Sequence, residues 1–193
     1  RNKIWIATTE SDGKIYNYNY ETDIIESLET KVKSSFSKKL SIDKSGRIWI
    51  GTWGRGVYRS NNDLTEFSKI DLVSKTSEKI SSNYNTILDI HQEINNTTWL
   101  TTTNGGIVKL VESNGFKNAN KIVKNQEIKD VLNCSAIYRD DKDLYIGTTF
   151  SGLYRGKDFS HLEKIKEVGN LKINTLYQHK RKLYIGTDKG FTN

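Results

Sequence analysis

The chain has 193 residues, of which 35% are apolar and 27% charged, and a formal net charge of +7 at neutral pH. That length suffices for one domain with its own core or for a run of smaller repeated units, and no apolar run approaches the roughly 18 residues of a membrane-spanning helix. The single cysteine, Cys134, excludes an internal disulfide and a cysteine-based metal cluster, and its apolar phrase LNCSAIY marks it as a small buried hydrophobe.

The basic excess is mostly lysine, scattered through KVKSSFSKK, KIKEVGNLK and HKRK. These short runs sit between strand signals and fit a solvated outer surface, so no nucleic acid partner is expected. The opening RNKIWIATTE has no initiator Met and lacks the basic start, apolar stretch and cleavage site of a secretion signal, so the chain is expected to be cut from something longer.

In chain order one phrase recurs five times: IWIATT at 4–9, IWIGTW at 48–53, TWLTTT at 98–103, LYIGTT at 144–149 and LYIGTD at 183–188. Its aromatic anchors are Trp5, Trp49, Trp99, Tyr145 and Tyr184, separated by 44, 50, 46 and 39 residues. Three positions after each anchor stands a threonine (Thr8, Thr52, Thr102, Thr148, Thr187), and a glycine follows at Gly13, Gly56, Gly106, Gly152 and Gly190. This spacing predicts a hairpin. A strand rich in β-branched and aromatic residues meets a short polar tip, and GVYR, GIVK or GLYR returns beside it.

Before four of the anchors a second hairpin is predicted by LSIDKSGRIWI, ILDIHQEINNTTWL, AIYRDDKDLYI and LYQHKRKLYI. After the return strand, LTEFSKIDL and LEKIKEV supply a fourth strand with the alternation of a half-exposed edge. The unit is a four-stranded antiparallel meander of about 45 residues, which predicts an all-β propeller rather than a helical repeat, with a sandwich as the competing arrangement. With the strands of a blade lettered A to D from the axis outward, residues 1–30 form a partial blade without strand A. Whole blades are expected at about 36–72, 84–125 and 131–168, and a partial blade at 172–193. The chain therefore reads as an incomplete arc of a larger propeller.

Catalytic chemistry finds little support. His91, His161 and His179 have no partner at metal-ligand spacing, and the acidic cluster of Asp140, Asp141 and Asp143 lacks the twelve-residue pattern of a calcium loop and fits a polar turn. SIDKSGRIW, which is similar to the Asp-box of sialidase-like propellers, is a structural turn there. No catalytic residue, metal or cofactor is expected. The anchor aromatics repeat at one structural position and fit a wedge between blades.

Differences between copies are more telling. The tips joining strands B and C read TESD, WGR, TN, TFS and DK, and in a propeller they gather on one face Glu10, Trp53, Arg55, Thr103, Asn104, Phe150, Ser151, Asp188 and Lys189. Trp53 and Phe150 are apolar where a tip is ordinarily polar. Aromatic faces ringed by donors and acceptors suit a sugar, or equally a protein contact.

The phrases SIDKSGRIWIGTWGRGVYR and TTWLTTTNGGIVKL resemble the two-component regulator propeller repeat, in which an Asp turn and Gly precede an apolar-Trp-Ile-Gly-Thr strand, a short tip, and a Gly-apolar-Tyr-basic return. Ala7 and Thr101 depart from it by replacing the expected glycine in two copies, and the chain has no proline near the linker. The resemblance implies the periplasmic or extracellular sensor region of a bacterial hybrid two-component receptor. It also implies detection of a ligand such as an oligosaccharide, with a kinase outside this chain and no catalysis within it. Other implied partners are further blades or propellers of the same parent or a second copy, with no membrane contact by this segment. A protein-docking scaffold and a propeller lyase or glycosidase are the alternatives.

Overall fold

The computed structural model describes residues 2–8, 14–30, 32, 37–70, 72, 85–93, 97–103, 106–111, 133–159 and 161–192. They form five antiparallel sheets in succession. The first holds β1 (Lys3–Ala7), β2 (Lys14–Asn19) and β3 (Ile24–Glu29), and the second β4 (Ser37–Ile42), β5 (Ile48–Thr52), β6 (Val57–Ser60) and β7 (Phe67–Ile70). Next come β8 (Ile87–Gln92), β9 (Thr97–Thr102) and β10 (Gly106–Val111), then β11 (Cys134–Arg139), β12 (Leu144–Thr148), β13 (Leu153–Gly156) and β14 (Leu162–Lys164). The last sheet holds β15 (Ile173–His179), β16 (Lys182–Thr187) and β17 (Gly190–Thr192). The expected fourth strand of the third blade falls at 112–132, outside the described residues.

Within every sheet the strands pair in chain order, and the leading strands β4, β8, β11 and β15 pack side by side. This is the all-β propeller arrangement expected from the repeat, as an arc of blades and not a closed ring. Burial peaks at the second strand of a blade: β5, β9 and β12 are buried along their whole length, whereas the innermost β4 is only partly buried and the outer β3 and β14 lie largely in solvent. A strand buried on both faces has a neighbouring blade against each of them.

The repeated residues hold this arrangement. Trp49, Trp99 and Tyr145 are buried between blades, and Arg59, Lys109 and Arg155, their cross-strand partners, lie over the rings at 5.4, 5.0 and 5.7 Å. The buried indoles are also satisfied: Trp49 Nε1 donates to Asp43 at 3.0 Å and Trp99 Nε1 to Glu93 at 2.7 Å. Asp43 additionally accepts the amides of Ser45 and Arg47 and the Arg47 guanidinium. Burial opposes its charge, but the bonds from Trp49 and Arg47 outweigh that and hold the carboxyl below its usual range.

The threonine and glycine of the phrase form a latch across four of the tips. The hydroxyls of Thr52, Thr102, Thr148 and Thr187 donate to the carbonyls of Gly56, Gly106, Gly152 and Gly190 at 2.7, 3.0, 2.9 and 2.8 Å. Gly152 shows why the return begins with glycine. Its φ is +80°, and a Cβ there would overlap the Gly169 carbonyl oxygen.

Side chains also tie neighbouring innermost strands. His91 Nε2 on β8 accepts the Arg139 amide of β11 at 3.2 Å, and its ring meets Tyr138 edge-on. Burial lowers the His91 pKa, against the opposing pull of the Asp89 and Glu93 carboxylates and with help from the Arg139 charge. The folded chain therefore binds this proton less readily than the unfolded chain. The stabilisation is complete above the unfolded value of about 6.5 and is lost as pH falls towards the folded one. The melting temperature is expected to drop between pH 7.5 and 5.5, and His91→Gln, which keeps an acceptor for the Arg139 amide, to flatten that slope. Equal slopes in a pH series of thermal melts would remove His91 as the cause.

Candidate functional site

All four innermost strands carry a β-bulge at the same place. Pairing with the second strand slips between Ser37 and Lys39, Ile87 and Asp89, Cys134 and Ala136, and Ile173 and Thr175. The residues left out of the ladder are Lys38, Leu88, Ser135 and Asn174. A bulge re-aims the side chain of its extra residue, and here all four line one cleft of about 440 Å³.

The B to C tips close over this end of the blades. Thr103 N donates to Thr86 O at 3.0 Å, Thr149 N to Asn133 O at 2.9 Å and Asp188 N to Lys172 O at 3.3 Å. Each tip is thus pinned to the residue just before the innermost strand of its own blade. The remaining described lining of the cleft comes from the tips and the strand entries: Trp53, Thr103, Thr149 and Phe150 from the tips, Asn133 and Lys172 from the strand entries.

Trp53 is 54% and Phe150 69% exposed, so both present ring surface to solvent at the cleft. Lys38 Nζ lies 5.0 Å from the Trp53 ring centroid. The Ser135 hydroxyl donates to the Ile173 carbonyl of the next blade, which orders the cleft floor. Among the described residues no His, Asp or Glu lines the cleft, and no group of three His, Cys, Asp or Glu is placed to hold a metal ion. Such a surface can stack against flat apolar faces and exchange hydrogen bonds with hydroxyls and acidic groups.

Of the residues expected at the site, Trp53, Thr103 and Phe150 come together in the cleft. Arg55 and Ser151 stand at the same tips as Trp53 and Phe150, and Asp188 and Lys189 at the tip of the last blade, without lining it. The amides of Arg55, Ser151 and Lys189 donate to the latch threonines Thr52, Thr148 and Thr187. Asn104 and Glu10 lie outside the described residues. Sequence reasoning missed the four bulge residues together with Asn133, Thr149 and Lys172. The available signal was variation: the bulge position reads Lys, Leu, Ser and Asn, while an apolar residue recurs two places further on, at Leu40, Ile90, Ile137 and Leu176.

Fold and cleft together define a β-propeller whose inner strands and tips build a ligand-sized depression on one face. Residues 32–54 match the family described as the two component regulator propeller, so the chain carries that repeat in the blade that includes Trp49 and Trp53. Among solved structures, the chain is similar to the extracellular domain of the hybrid two component system BT4673 from B. thetaiotaomicron. There the identity is 18%, the TM-score 0.66, and the match covers 98% of this chain and 25% of that one. It is also similar to PorZ, a surface component of the type-IX secretion system of Porphyromonas gingivalis (17% identity, TM-score 0.70, 98% and 30% covered), and to virginiamycin B lyase from Staphylococcus aureus (16%, 0.68, 95% and 59%). At these identities the likeness is one of fold. The chain spans about a quarter of the BT4673 domain. No curated protein matches the sequence closely enough to serve as a relative.

Proposed function

We propose that this propeller segment is the ligand-sensing part of an extracellular or periplasmic signalling receptor, and that it binds an oligosaccharide in the cleft between Trp53 and Phe150. The observation that carries the reading is the pair of exposed aromatic rings flanking hydroxyl and amide side chains from three blades. The regulator propeller repeat and the likeness to the BT4673 extracellular domain support a receptor over an enzyme. So does the lining, whose described residues supply no imidazole or carboxylate for general acid and base work. Signal output by a kinase belongs to another part of the parent protein.

A glycan array probed with the chain is expected to give saccharide hits, and Trp53→Ala and Phe150→Ala to weaken the best hit about fivefold each, the effect of about 1 kcal/mol for a lost aromatic stack. Array hits that survive both substitutions would move the site elsewhere. Silence across the array from folded protein would favour a protein-docking scaffold.

A further inference from the structure

We propose that the cleft selects an anionic ligand, a saccharide bearing carboxylate or sulfate groups, through Lys38 and Lys172; this rests on the ligand-sensing reading above. The argument begins with two adjacent lysines that meet opposite fates. Lys39 turns to the neighbouring blade and pairs with the buried Asp89 at 2.8 Å. Lys38, expelled from the ladder by the bulge, is exposed and enters the cleft instead.

Among the described residues no carboxylate pairs with Lys38 or Lys172. The Lys38 ammonium is held over the Trp53 ring, a contact that positions a cation without neutralising it. Lys172 enters from the last sheet, three blades further along the arc, so the two charges belong to different walls. The amides of Asn133 and Asn174 and the hydroxyls of Thr103 and Thr149 stand among the lining, and they can bond both acid oxygens and sugar hydroxyls. Asp188, whose backbone amide donates to the Lys172 carbonyl, does not line the cleft. Two cations without a carboxylate partner, in a depression whose described lining holds no carboxylate, give a local positive potential, and a neutral ligand makes no use of it. An acidic sugar does, placing its ring on Trp53 or Phe150 and its charged group at an ammonium.

The test is a glycan array with uronate-bearing, sulfated and neutral arms, read with the chain and with its Lys38→Gln, Lys172→Gln variant. Calorimetry on the best hit at low and high salt follows. Both lysines are exposed, so the variant is expected to fold. Hits concentrated in the uronate or sulfate arm are expected, weakened by at least tenfold in the variant and by added salt. The arm that responds distinguishes carboxylate from sulfate. Hits confined to neutral glycans and lost in Trp53→Ala would overturn the anionic ligand while leaving the saccharide reading intact. Acidic hits whose affinity stays within twofold in the variant would overturn it as well, and no hit in any arm would overturn both readings.

Discussion

Replacing Asp89 with alanine is expected to destabilise the chain by about 3 kcal/mol and lower its melting temperature by about 9 °C. Asp89 lies on β8, with 7% of its side chain exposed, and it serves three blades at once. One carboxylate oxygen accepts Lys39 Nζ from β4 and the Ile90 amide, and the other accepts the Ile137 amide of β11 at 3.0 Å. Alanine leaves the Ile137 amide buried without this acceptor, at a cost of about 1–3 kcal/mol. It also leaves the Lys39 ammonium without its partner. That ammonium is one-third exposed and can recover water, so its share is the smaller one. Asp89→Asn keeps an acceptor for Ile137 and is expected to cost about half as much. Urea unfolding of both variants measures this. Equal costs would assign the loss to the ion pair, and a cost below about 1 kcal/mol for alanine would remove Asp89 as the inter-blade tie.

The sequence announces the hairpins because the same physics repeats in each. In three blades the anchor aromatic takes a basic cross-strand partner, at four tips the latch threonine takes the carbonyl of the glycine opposite, and these requirements fix residue types at fixed spacing. The tip aromatics were legible too, since Trp53 and Phe150 break the polar rule for turns. The bulge residues were not legible. A bulge adds one residue to a strand without a required side chain, and the strand still alternates well enough on either side of it. Lys38 and Lys39 look alike in the sequence, yet one slipped residue sends the first to the cleft and the second into an ion pair with Asp89. Lys172 and Asn133 were hidden for another reason. They precede strands and enter the cleft only because the tips of their own blades are bonded to their carbonyls.

Each blade thus separates two kinds of position. The anchor, latch threonine and return glycine are fixed by the packing of blade on blade. The bulge residue and the first tip residue touch the cleft and are free to vary, as Lys38 with Trp53, Leu88 with Thr103 and Ser135 with Thr149 show. Specificity can change at these positions while the blades keep their packing, which is how a repeat scaffold carries different ligands.

The glycine before the latch threonine tests that separation from the other side. Gly147→Thr is expected to cost about 3 kcal/mol, because a Cβ at Gly147 would overlap Ile173, the first residue of the next innermost strand. Gly51 faces Ile87 in the same way, with its Cβ position 2.8 Å from the Ile87 Cγ2. In the third blade the position is Thr101, buried, and the residue equivalent to Ile173 at the start of the following blade is Cys134, also buried. Glycine is matched with isoleucine and threonine with cysteine in the equivalent positions, and the expected reason is that the smaller side chain across the blade interface compensates for Thr101. Ile173→Cys alone opens a cavity and is expected to cost about 2 kcal/mol. Combined with Gly147→Thr it is expected to restore most of the lost stability, because the threonine fills the space the isoleucine leaves. A double-mutant cycle by urea unfolding reads this coupling directly. Additive losses would mean that Thr101 is tolerated for a reason local to its own blade; a coupling of about 2 kcal/mol or more would establish that blade spacing is set by this pair.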